Sequence, residues 1–339
     1  MNFLTKVIAS IGSMIFAIGM ISSAETLKAK AYSTSKSNPA IVELTKDTNT
    51  HVYNSSKKIY EYQPNNSDTK ILRKGYYTGY QIDSTHWRLD CGYGSRVIPM
   101  YLDSSHTQLR VKVQRTGSYN SKTKTWDNRV NRLGTISQLG ENARYECACG
   151  PTSVLMLLTH ELGDDTYNRV QFINKYKQQV IKNYSSQIYG YASGWGVTSG
   201  GSFNINTFLL NQELKRTGLS AKYETFRARL SSSSQLDTYL NNGHRLVAGI
   251  LHQTVTENGL AKNYYDYAHR KFGHYVVIVA EEGGSNGYYY IADPYYYERS
   301  PYQINRGMYY YGLEKVKKTD VIASMKPMGD NGILTVRYK

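Results

Sequence analysis

Short apolar, strand-like runs alternate with polar, turn-forming stretches in the part of the chain that follows residue 39. Short runs typical of strands follow one another from Ala40 to about Val113, separated by turn-forming stretches such as PNNSD. The runs are THVYN, KKIYEY, KILRKGYYTGYQI, HWRLD, RVIPMYL and QLRVKV. We therefore predict a small all-β module over residues 45–113.

The pattern changes after residue 148, where apolar residues occur at a density typical of helices. The run PTSVLMLLTHELG predicts a helix that starts at Cys149 and stops at Gly163, with Pro151 tolerated in the first turn. Two further helices are predicted from TYNRVQFINKYKQQVIKNY and INTFLLNQELKRTG. The strand AKYETF, the short helix SQLDTYLNNG and the apolar strands RLVAGILH, HYVVIVAEE and YYYIADP follow. Helices first and strands afterwards indicate an α+β domain over residues 131–339.

Two polar segments without periodicity flank the β module. Residues 32–44 are rich in Ser, Lys and Asn, which predicts a flexible leader. Residues 114–130 have the Gly, Ser, Lys and Asn composition of a linker, so we place the domain boundary there.

The first residues have the pattern of a secretory signal peptide. Lys6 precedes an apolar run, and small residues follow that run up to Ala24. A second site of the A-x-A type ends at Ala31, so two cleavage points are open. The apolar run is shorter than the roughly 20 residues that a membrane-spanning helix needs. We assign residues 1–31 to the signal peptide and expect a secreted protein, extracellular or associated with the cell wall, that keeps no stable membrane span.

The chain is strongly basic, with a formal charge of +15. The charge is still +13 without residues 1–31, which carry three lysines and one glutamate. Such a charge favours polyanionic partners, and for an exported chain these are anionic cell-wall polymers. Nucleic acid is not expected, because no run of basic residues is dense enough for a nucleic-acid arm. A basic surface that is merely solvated is the alternative.

Three cysteines occur in the chain, Cys91, Cys147 and Cys149. They are too few for the dense disulfide framework of a small secreted domain, although Cys91 and Cys147 could pair. The Cys-x-Cys spacing is too short for the usual zinc ligands, and no His-x-x-x-His pair accompanies it. We expect neither a metal nor another cofactor.

Cys149 is the candidate nucleophile. A cysteine reacts as the thiolate, and the amino end of a helix favours that charged form. In the string CGPTS, Gly150 allows a tight turn, and Thr152 and Ser153 are expected to cap free amides. A small core cysteine before a helix is the alternative reading. Cys147 lacks the Gly-Pro helix entry and is expected to be structural.

A thiolate hydrolase also needs a base and a group that orients this base. His274 stands at the entrance of the apolar strand HYVVIVA, and the next strand ends in Asp293, after the turn EEGGSNG. Antiparallel pairing of the two strands predicts that Asp293 lies beside His274. His269 is the main competitor for the role of base.

Three segments carry a family resemblance, SQLGENARYECACGPTSVLMLL, FGHYVVIVA and YYYIADPYY. They resemble papain-like cysteine peptidases of the bacteriocin-leader (double-glycine) type, in particular secreted stand-alone relatives, over about residues 135–325. The resemblance implies a papain-like fold and a glutamine that stabilises the oxyanion, for which Gln138 matches by context. The gap from Gln138 to Cys149 is longer than the family pattern and holds the inserted ECAC, which leaves Asn142 as a substitute. The double-glycine specificity is not carried over, because those relatives are domains of transporters.

The β module resembles bacterial Src-homology-3-like wall-binding modules in the segments VYNSSKK, LRKGYYTGYQI and HWRL. An ordinary β-rich pro-segment or spacer is the alternative for this part of the chain.

The sequence therefore predicts a secreted cysteine peptidase that hydrolyses a peptide or protein substrate through a thiolate acyl-enzyme. Its fold is expected to be a papain-like α+β domain preceded by a small all-β module. Two alternatives stay open at this point: a hydrolase of peptidoglycan cross-bridges or stem peptides, and a non-catalytic protein that binds the cell wall.

Overall fold

The structure is a computed structural model, and the described part of the chain begins at residue 40. It comprises residues 40–63, 71–72, 74–93, 96–103, 109–114, 119–120, 125–126, 136, 148–162, 169–185, 188–189, 196–197, 202–230, 232–251, 273–294, 312–325 and 332–339. All of them belong to one compact unit, residues 34–339. No helix within the described ranges is long and apolar enough to cross a membrane.

The amino-terminal part is built from strands. They are β1 (Ala40–Leu44), β2 (Thr48–Asn49), β3 (Val52–Asn54), β4 (Ile59–Glu61), β5 (Ile71–Leu72), β6 (Gly75–Gln81), β7 (His86–Tyr93), β8 (Arg96–Asp103) and β9 (Leu109–Gln114). Five strands form a sheet in the order β8-β7-β6-β1-β9, with antiparallel neighbours throughout. The strands β2 and β5 form a separate short pair, as do β3 and β4.

Strand alternation gives the five-stranded sheet its own apolar core. In β1, Ala40, Val42 and Leu44 point to this core, which also contains Leu89 and Cys91 of β7. Ile41, between them, belongs to the larger core of the carboxy-terminal part. The period of two thus places successive residues of one strand in two different cores.

Residues 40–44 correct the predicted leader. This segment forms β1, which is paired on both sides, with β6 and β9. Four of its five residues are buried, so burial and pairing override the polar composition of the preceding residues. Within the predicted linker, Tyr119–Asn120 (β10) pairs with Thr125–Trp126 (β11). Residues 32–39 and the rest of the linker beyond Gln114 lie outside the described residues.

The carboxy-terminal part combines helices with a larger sheet. The helices are α1 (Cys149–Leu162), α2 (Arg169–Tyr184), α3 (Ser202–Arg216), α4 (Ser233–Asn241) and α5 (Lys318–Met325). The strands are β12 (Ile188–Tyr189), β13 (Gly196–Val197), β14 (Tyr223–Arg229), β15 (Leu246–Leu251), β16 (Gly273–Glu282), β17 (Tyr288–Ala292), β18 (Glu314–Lys317) and β19 (Gly332–Tyr338). The mixture of helices and strands agrees with the predicted class.

Six of these strands form an antiparallel sheet in the order β14-β19-β15-β16-β17-β18. One face packs against α1, α2 and α3 through residues such as Tyr275 and Val277. The other face packs against α4 and α5 through Val276 and Ile278. Because both faces of β16 are covered, its sequence is a nearly continuous apolar run rather than an alternating one.

The hairpin between β16 and β17 has the turn that the sequence predicted. A short 3₁₀ turn, Gly284–Asn286, joins the strands, and Gly283 and Gly284 adopt φ values of 82° and 63°. Residues with a side chain rarely adopt this left-handed backbone, so glycine suits both positions. The turn thereby allows the antiparallel register on which the position of Asp293 depends.

The sequence pattern predicted no element for the residues of β18, α5 and β19. β19 nevertheless lies inside the sheet, between β14 and β15, and its first five residues are buried. At the start of α5, Lys318 is fully buried, and its ammonium group lies 2.8 Å from Asp237 and 2.7 Å from Glu281. A buried lysine needs such partners to offset its desolvation.

The amino-terminal sheet contacts the carboxy-terminal sheet at β18. The Leu313 amide donates a hydrogen bond of 2.6 Å to the carbonyl of Tyr76 in β6. The Tyr76 ring also packs edge-on against Tyr290, with 5.3 Å between the centroids, and Ile41 fills part of the same core. Backbone pairing, a ring contact and apolar burial therefore join the two sheets.

Candidate active site

Helix α1 carries Cys149 as its first residue. The Thr152 amide donates to the Ala148 carbonyl at 3.0 Å, which closes the first turn. Residues 151–159 are all buried, whereas Cys149 remains partly exposed. The first amides of a helix lack intrahelical acceptors and form its positive end. The local structure therefore combines an accessible thiol with a backbone that favours negative charge.

Ser153 fastens α1 to the strand that carries the candidate base. Its hydroxyl donates to the Tyr275 carbonyl at 3.0 Å in the buried interior. Thr152 Oγ1, in contrast, has no hydrogen-bond partner among the described residues. The expectation that both hydroxyls cap free amides was wrong, because α1 already begins at Cys149 and a capping residue must precede the helix.

Strands β16 and β17 bring His274 and Asp293 together. Their register pairs Val277 with Ala292, so the residue after β17 lies near the beginning of β16. His274 Nε2 is 2.7 Å from Asp293 Oδ1, and the two side chains are only 1% and 2% exposed. The proximity expected from the hairpin is present in the structure.

His274 also contacts Cys149 by a side-chain hydrogen bond. Since Nε2 of the imidazole is paired with Asp293, Nδ1 is the nitrogen that remains for the sulfur. The three predicted residues thus form one continuous series, with the imidazole between the thiol and the carboxylate.

Opposing effects set the pKa of His274. Burial by itself disfavours the imidazolium and lowers the pKa. The charge of Asp293 and its hydrogen bond act in the opposite direction, and so do the hydrogen bond and charge of Cys149. Together these partners raise the pKa of His274 from 6.5 to about 10. His274 is therefore an imidazolium at neutral pH.

Four residues considered from the sequence lie outside the described residues: Gln138, Asn142, Cys147 and His269. The assignment of Gln138 to the oxyanion, with Asn142 as its substitute, thus stays a prediction. The same holds for the two rivals, Cys147 as nucleophile and His269 as base.

Cys91 is a free thiol, so its suggested disulfide with Cys147 is not formed. The residue is fully buried in the core of the five-stranded sheet, and its sulfur donates to the Leu89 carbonyl at 3.8 Å. Burial, followed by the charge of Asp90, raises the pKa of Cys91 well above its ordinary value. Cys91 is therefore an inert core residue, unlike the accessible Cys149.

The family model described as "Peptidase_C39 like family" matches residues 130–318, more than half of the chain. The chain belongs to the C39-like peptidase family. The crystal structure of a candidate C39-like peptidase from Bacillus anthracis is 17% identical, with 61% of this chain and 96% of that chain covered and a TM-score of 0.36. No curated protein matches the chain.

The range matched by the C39-like family contains Cys149, His274 and Asp293. It begins after the five-stranded sheet, whose last strand ends at Gln114. The family therefore covers the candidate active site, and the amino-terminal sheet is an addition to it.

A second acidic residue of this C39-like domain lies beside the His274–Asp293 pair. Glu314 pairs with Ile291 across β17 and β18, and Asp293 is two residues further along, so strand alternation places both carboxyl groups on one face. The residue as a whole is partly exposed, but its carboxyl group is in the interior. Burial raises the pKa of Glu314 well above its ordinary value, the charge of Asp293 raises it further, and His274 opposes both. The sequence gives no signal for this residue, since EKVK has the pattern of a solvated edge strand.

Gly150 is in close contact with Asn206 of α3, another residue that the sequence analysis did not single out. A Cβ atom at position 150 would lie 2.7 Å from Asn206 Oδ1 and 3.1 Å from Nδ2. A polar residue between the apolar Ile205 and Phe208 of a helix was the available signal. Glycine is thus needed at position 150 for the close approach of α1 and α3.

Gly150→Ala is expected to impair the site through this contact. Overpacking of this kind costs about 1–3 kcal/mol, and the displaced helix start moves the neighbouring Cys149. We expect a lower melting temperature and a loss of peptidase rate on the order of tenfold. Thermal unfolding and steady-state kinetics measure both effects. Gly75→Ala is the control, because its Cβ would meet no atom closer than 3.7 Å; equal rates in the two variants would contradict the expectation.

Proposed function

We propose that this C39-like protein is a secreted, papain-like cysteine peptidase that cleaves peptide bonds through a thiolate acyl-enzyme. The observation that carries the proposal is the hydrogen-bonded series of Cys149, His274 and Asp293 at the start of α1. A nucleophile, a base and a carboxylate that orients the base are the groups that this chemistry requires. Membership in a peptidase family supports the same reaction class.

In the first half-reaction, Cys149 Sγ attacks the carbonyl carbon of the scissile bond. A carbon–sulfur bond forms, and the electron pair of the carbonyl moves to its oxygen. Backbone amides at the start of α1 donate to this oxyanion, with the side-chain amide of Gln138, or of Asn142 in its place, as a second donor. His274 then gives its proton to the amine nitrogen, the electron pair of the oxyanion re-forms the carbonyl, and the carbon–nitrogen bond breaks to leave the thioester.

In the second half-reaction, water hydrolyses the thioester. Neutral His274 accepts a proton from the water molecule, whose oxygen attacks the acyl carbon. The carbon–sulfur bond breaks, the carboxylic acid leaves, and the thiolate and imidazolium are restored. Throughout the cycle Asp293 bonds Nε2, which keeps Nδ1 directed at the sulfur.

Export belongs to the same proposal. The signal-peptide pattern of residues 1–31 supports it. The charge of +15 favours retention near anionic polymers of a cell wall after export. A free extracellular protein and a wall-associated one are both consistent with these features.

A second candidate function rests on a surface of the amino-terminal part. Six rings there are in mutual contact, with centroid separations of 4.8–6.4 Å. We call the following set the aromatic surface: His51, Tyr53, Tyr60, Tyr62, His86 and Tyr101. Tyr53 and Tyr62 are 45% and 47% exposed, which leaves ring faces open to a ligand. This feature favours wall binding, and with it a peptidoglycan hydrolase or a non-catalytic wall-binding protein.

One experiment separates these functions. Wild type and Cys149→Ala are incubated with purified bacterial sacculi and with a mixed peptide library, and new amino termini are identified by mass spectrometry. Termini in the library that depend on Cys149 support the proposed peptidase. Termini in sacculi alone would replace it with a cross-bridge or stem-peptide hydrolase. Absence of new termini, together with binding to sacculi that is lost in a Tyr53→Ala, Tyr62→Ala double variant, would favour the non-catalytic protein.

A further inference from the structure

Asn206 is a buried polar side chain beside the proposed nucleophile. Its accessible fraction is 0%, and neither Oδ1 nor Nδ2 has a hydrogen-bond partner among the described residues. A buried amide without partners lowers the stability of a protein, and native structures contain few of them. Polar groups that violate this rule are concentrated at functional sites.

The surroundings of Asn206 are otherwise apolar. Along α3, its neighbours Phe203, Ile205, Leu209 and Leu210 belong to the core into which α1 packs. An apolar residue at position 206 would suit this core better than an amide. The amide instead lies against the backbone of Gly150, directly after Cys149.

Two further buried hydroxyls near this contact lack partners among the described residues. Thr152 Oγ1 belongs to the first turn of α1, and Thr207 Oγ1 belongs to α3, next to Asn206. Unsatisfied polar atoms therefore occur on both helices of this contact, and those of Asn206 and Thr152 lie close to the start of α1. In a low-dielectric interior, such dipoles act strongly on a nearby charge.

We propose that Asn206 is a positioning residue: its side-chain amide, packed against Gly150, fixes the Cys149–Gly150 turn where the thiol meets His274. The inference rests on the proposed function, because it assigns Asn206 a part in the same site. The amide both donates and accepts hydrogen bonds. Without a hydrogen-bond partner among the described residues, the amide is available to the backbone of this turn as charge moves between Cys149 and the oxyanion.

Asn206→Leu tests this inference, because leucine has the same branched shape and the same number of side-chain heavy atoms without a polar group. The main measurement is the rate of alkylation of Cys149 by iodoacetamide between pH 5 and pH 9, which needs no peptide substrate. We expect the rate at pH 6 to fall about tenfold and the pH profile to shift, because the thiolate loses its polar neighbour. The melting temperature is expected to stay equal or to rise, because the unpaired amide is gone.

The matched control is Asn204→Leu on the same helix. Asn204 is exposed, and its side-chain oxygen accepts from Arg227 at 3.1 Å, away from Gly150. This variant should alkylate at the wild-type rate. A second variant, Asn206→Ser, keeps a polar group and should retain more of the rate than Asn206→Leu.

An unchanged rate and profile in Asn206→Leu would overturn the inference. Unfolding of both Asn206 variants would also overturn it, since Asn206 would then be a structural residue. Failure of the proposed function is a separate result. A protein that cleaves no peptide would still show the difference in alkylation between Asn206→Leu and Asn204→Leu.

Discussion

Cys149→Ala should reduce peptide hydrolysis to background, a loss on the order of 10⁶-fold in kcat. Without the sulfur no acyl-enzyme forms, and the helix start and the imidazolium alone supply no nucleophile. The kinetics are measured with any peptide that wild type cleaves. The melting temperature should change little, because Cys149 is partly exposed and only one atom is removed.

Cys91→Ala is the matched control for this variant. Its thiol is fully buried in the other sheet, and burial keeps it protonated, so its removal should leave kcat at the wild-type value. Iodoacetamide at neutral pH should label Cys149 before Cys91 and Cys147, which mass spectrometry of the digested protein can show. If Cys149→Ala keeps its activity, Cys149 is not the nucleophile. Cys147 would then be the first residue to test in that role.

Asp293→Asn should lower kcat by about 10³-fold or more, while KM changes little. Asparagine is neutral, so it removes the negative charge that stabilises the imidazolium. Its amide oxygen accepts from Nε2–H more weakly than the carboxylate does, and its NH₂ group competes for the same position. The tautomer that directs Nδ1 to the sulfur is then no longer favoured. Steady-state kinetics across pH measure the loss.

The same variant should move the alkaline limb of the pH profile. Asp293 favours the charged imidazole, so its loss lowers the pKa of His274 from about 10 toward the ordinary 6.5. Because His274 must be protonated to release the amine, activity in the variant falls at a lower pH than in wild type.

The contribution of His274 to the free energy of unfolding also decreases as the pH rises. It is complete below about pH 6.5 and is lost as the pH rises through about 10, so wild type and variant should converge in melting temperature at high pH.

The structure offers a second His–Asp pair as a control for Asp293→Asn. His86 Nδ1 lies 2.9 Å from Asp83 Oδ1 in the amino-terminal sheet, where Asp83 is largely accessible. Asp83→Asn should leave both kcat and the alkaline limb unchanged. An alkaline limb that stays in place in Asp293→Asn would show that this carboxylate does not set the charge of His274.

The positions of Cys149, His274 and Asp293 could be predicted because short, local segments of the sequence determine them. The string CGPTS marks a helix start at Cys149, and the spacing of the hairpin brings Asp293 back to His274. Glu314 gave no such signal, and Asn206 gave only its polar character between Ile205 and Phe208. Each reaches the site through tertiary packing, from an edge strand and from a different helix, and a pattern within one segment does not encode such contacts.

The fold was predictable to a similar extent. Long apolar runs such as β16 and amphipathic helices such as α2 were found, because periodicity and burial agree in them. β19 was missed, because a short apolar segment at the end of the chain does not reveal that it pairs between β14 and β15. The predicted leader ended at Leu44 and therefore included strand β1, Ala40–Leu44. A strand of five residues beside a polar segment is too short to show a clear alternation.

The contact between Tyr76 and Leu313 bears on how this protein can change in evolution. The carbonyl of Tyr76 accepts a hydrogen bond from an amide of the carboxy-terminal part, and Ile41 fills part of the core of that part. Gly312 is constrained as well, since a Cβ there would lie 2.3 Å from the Tyr76 carbonyl oxygen. If an unrelated domain replaced the amino-terminal sheet, the core would have a cavity in place of Ile41, and the Leu313 amide would lose its acceptor. Both changes would lie near β18, the strand that carries Glu314. Substitutions on the two sides of this junction are therefore expected to be correlated. We expect that the amino-terminal sheet cannot be exchanged without compensating changes in the carboxy-terminal part.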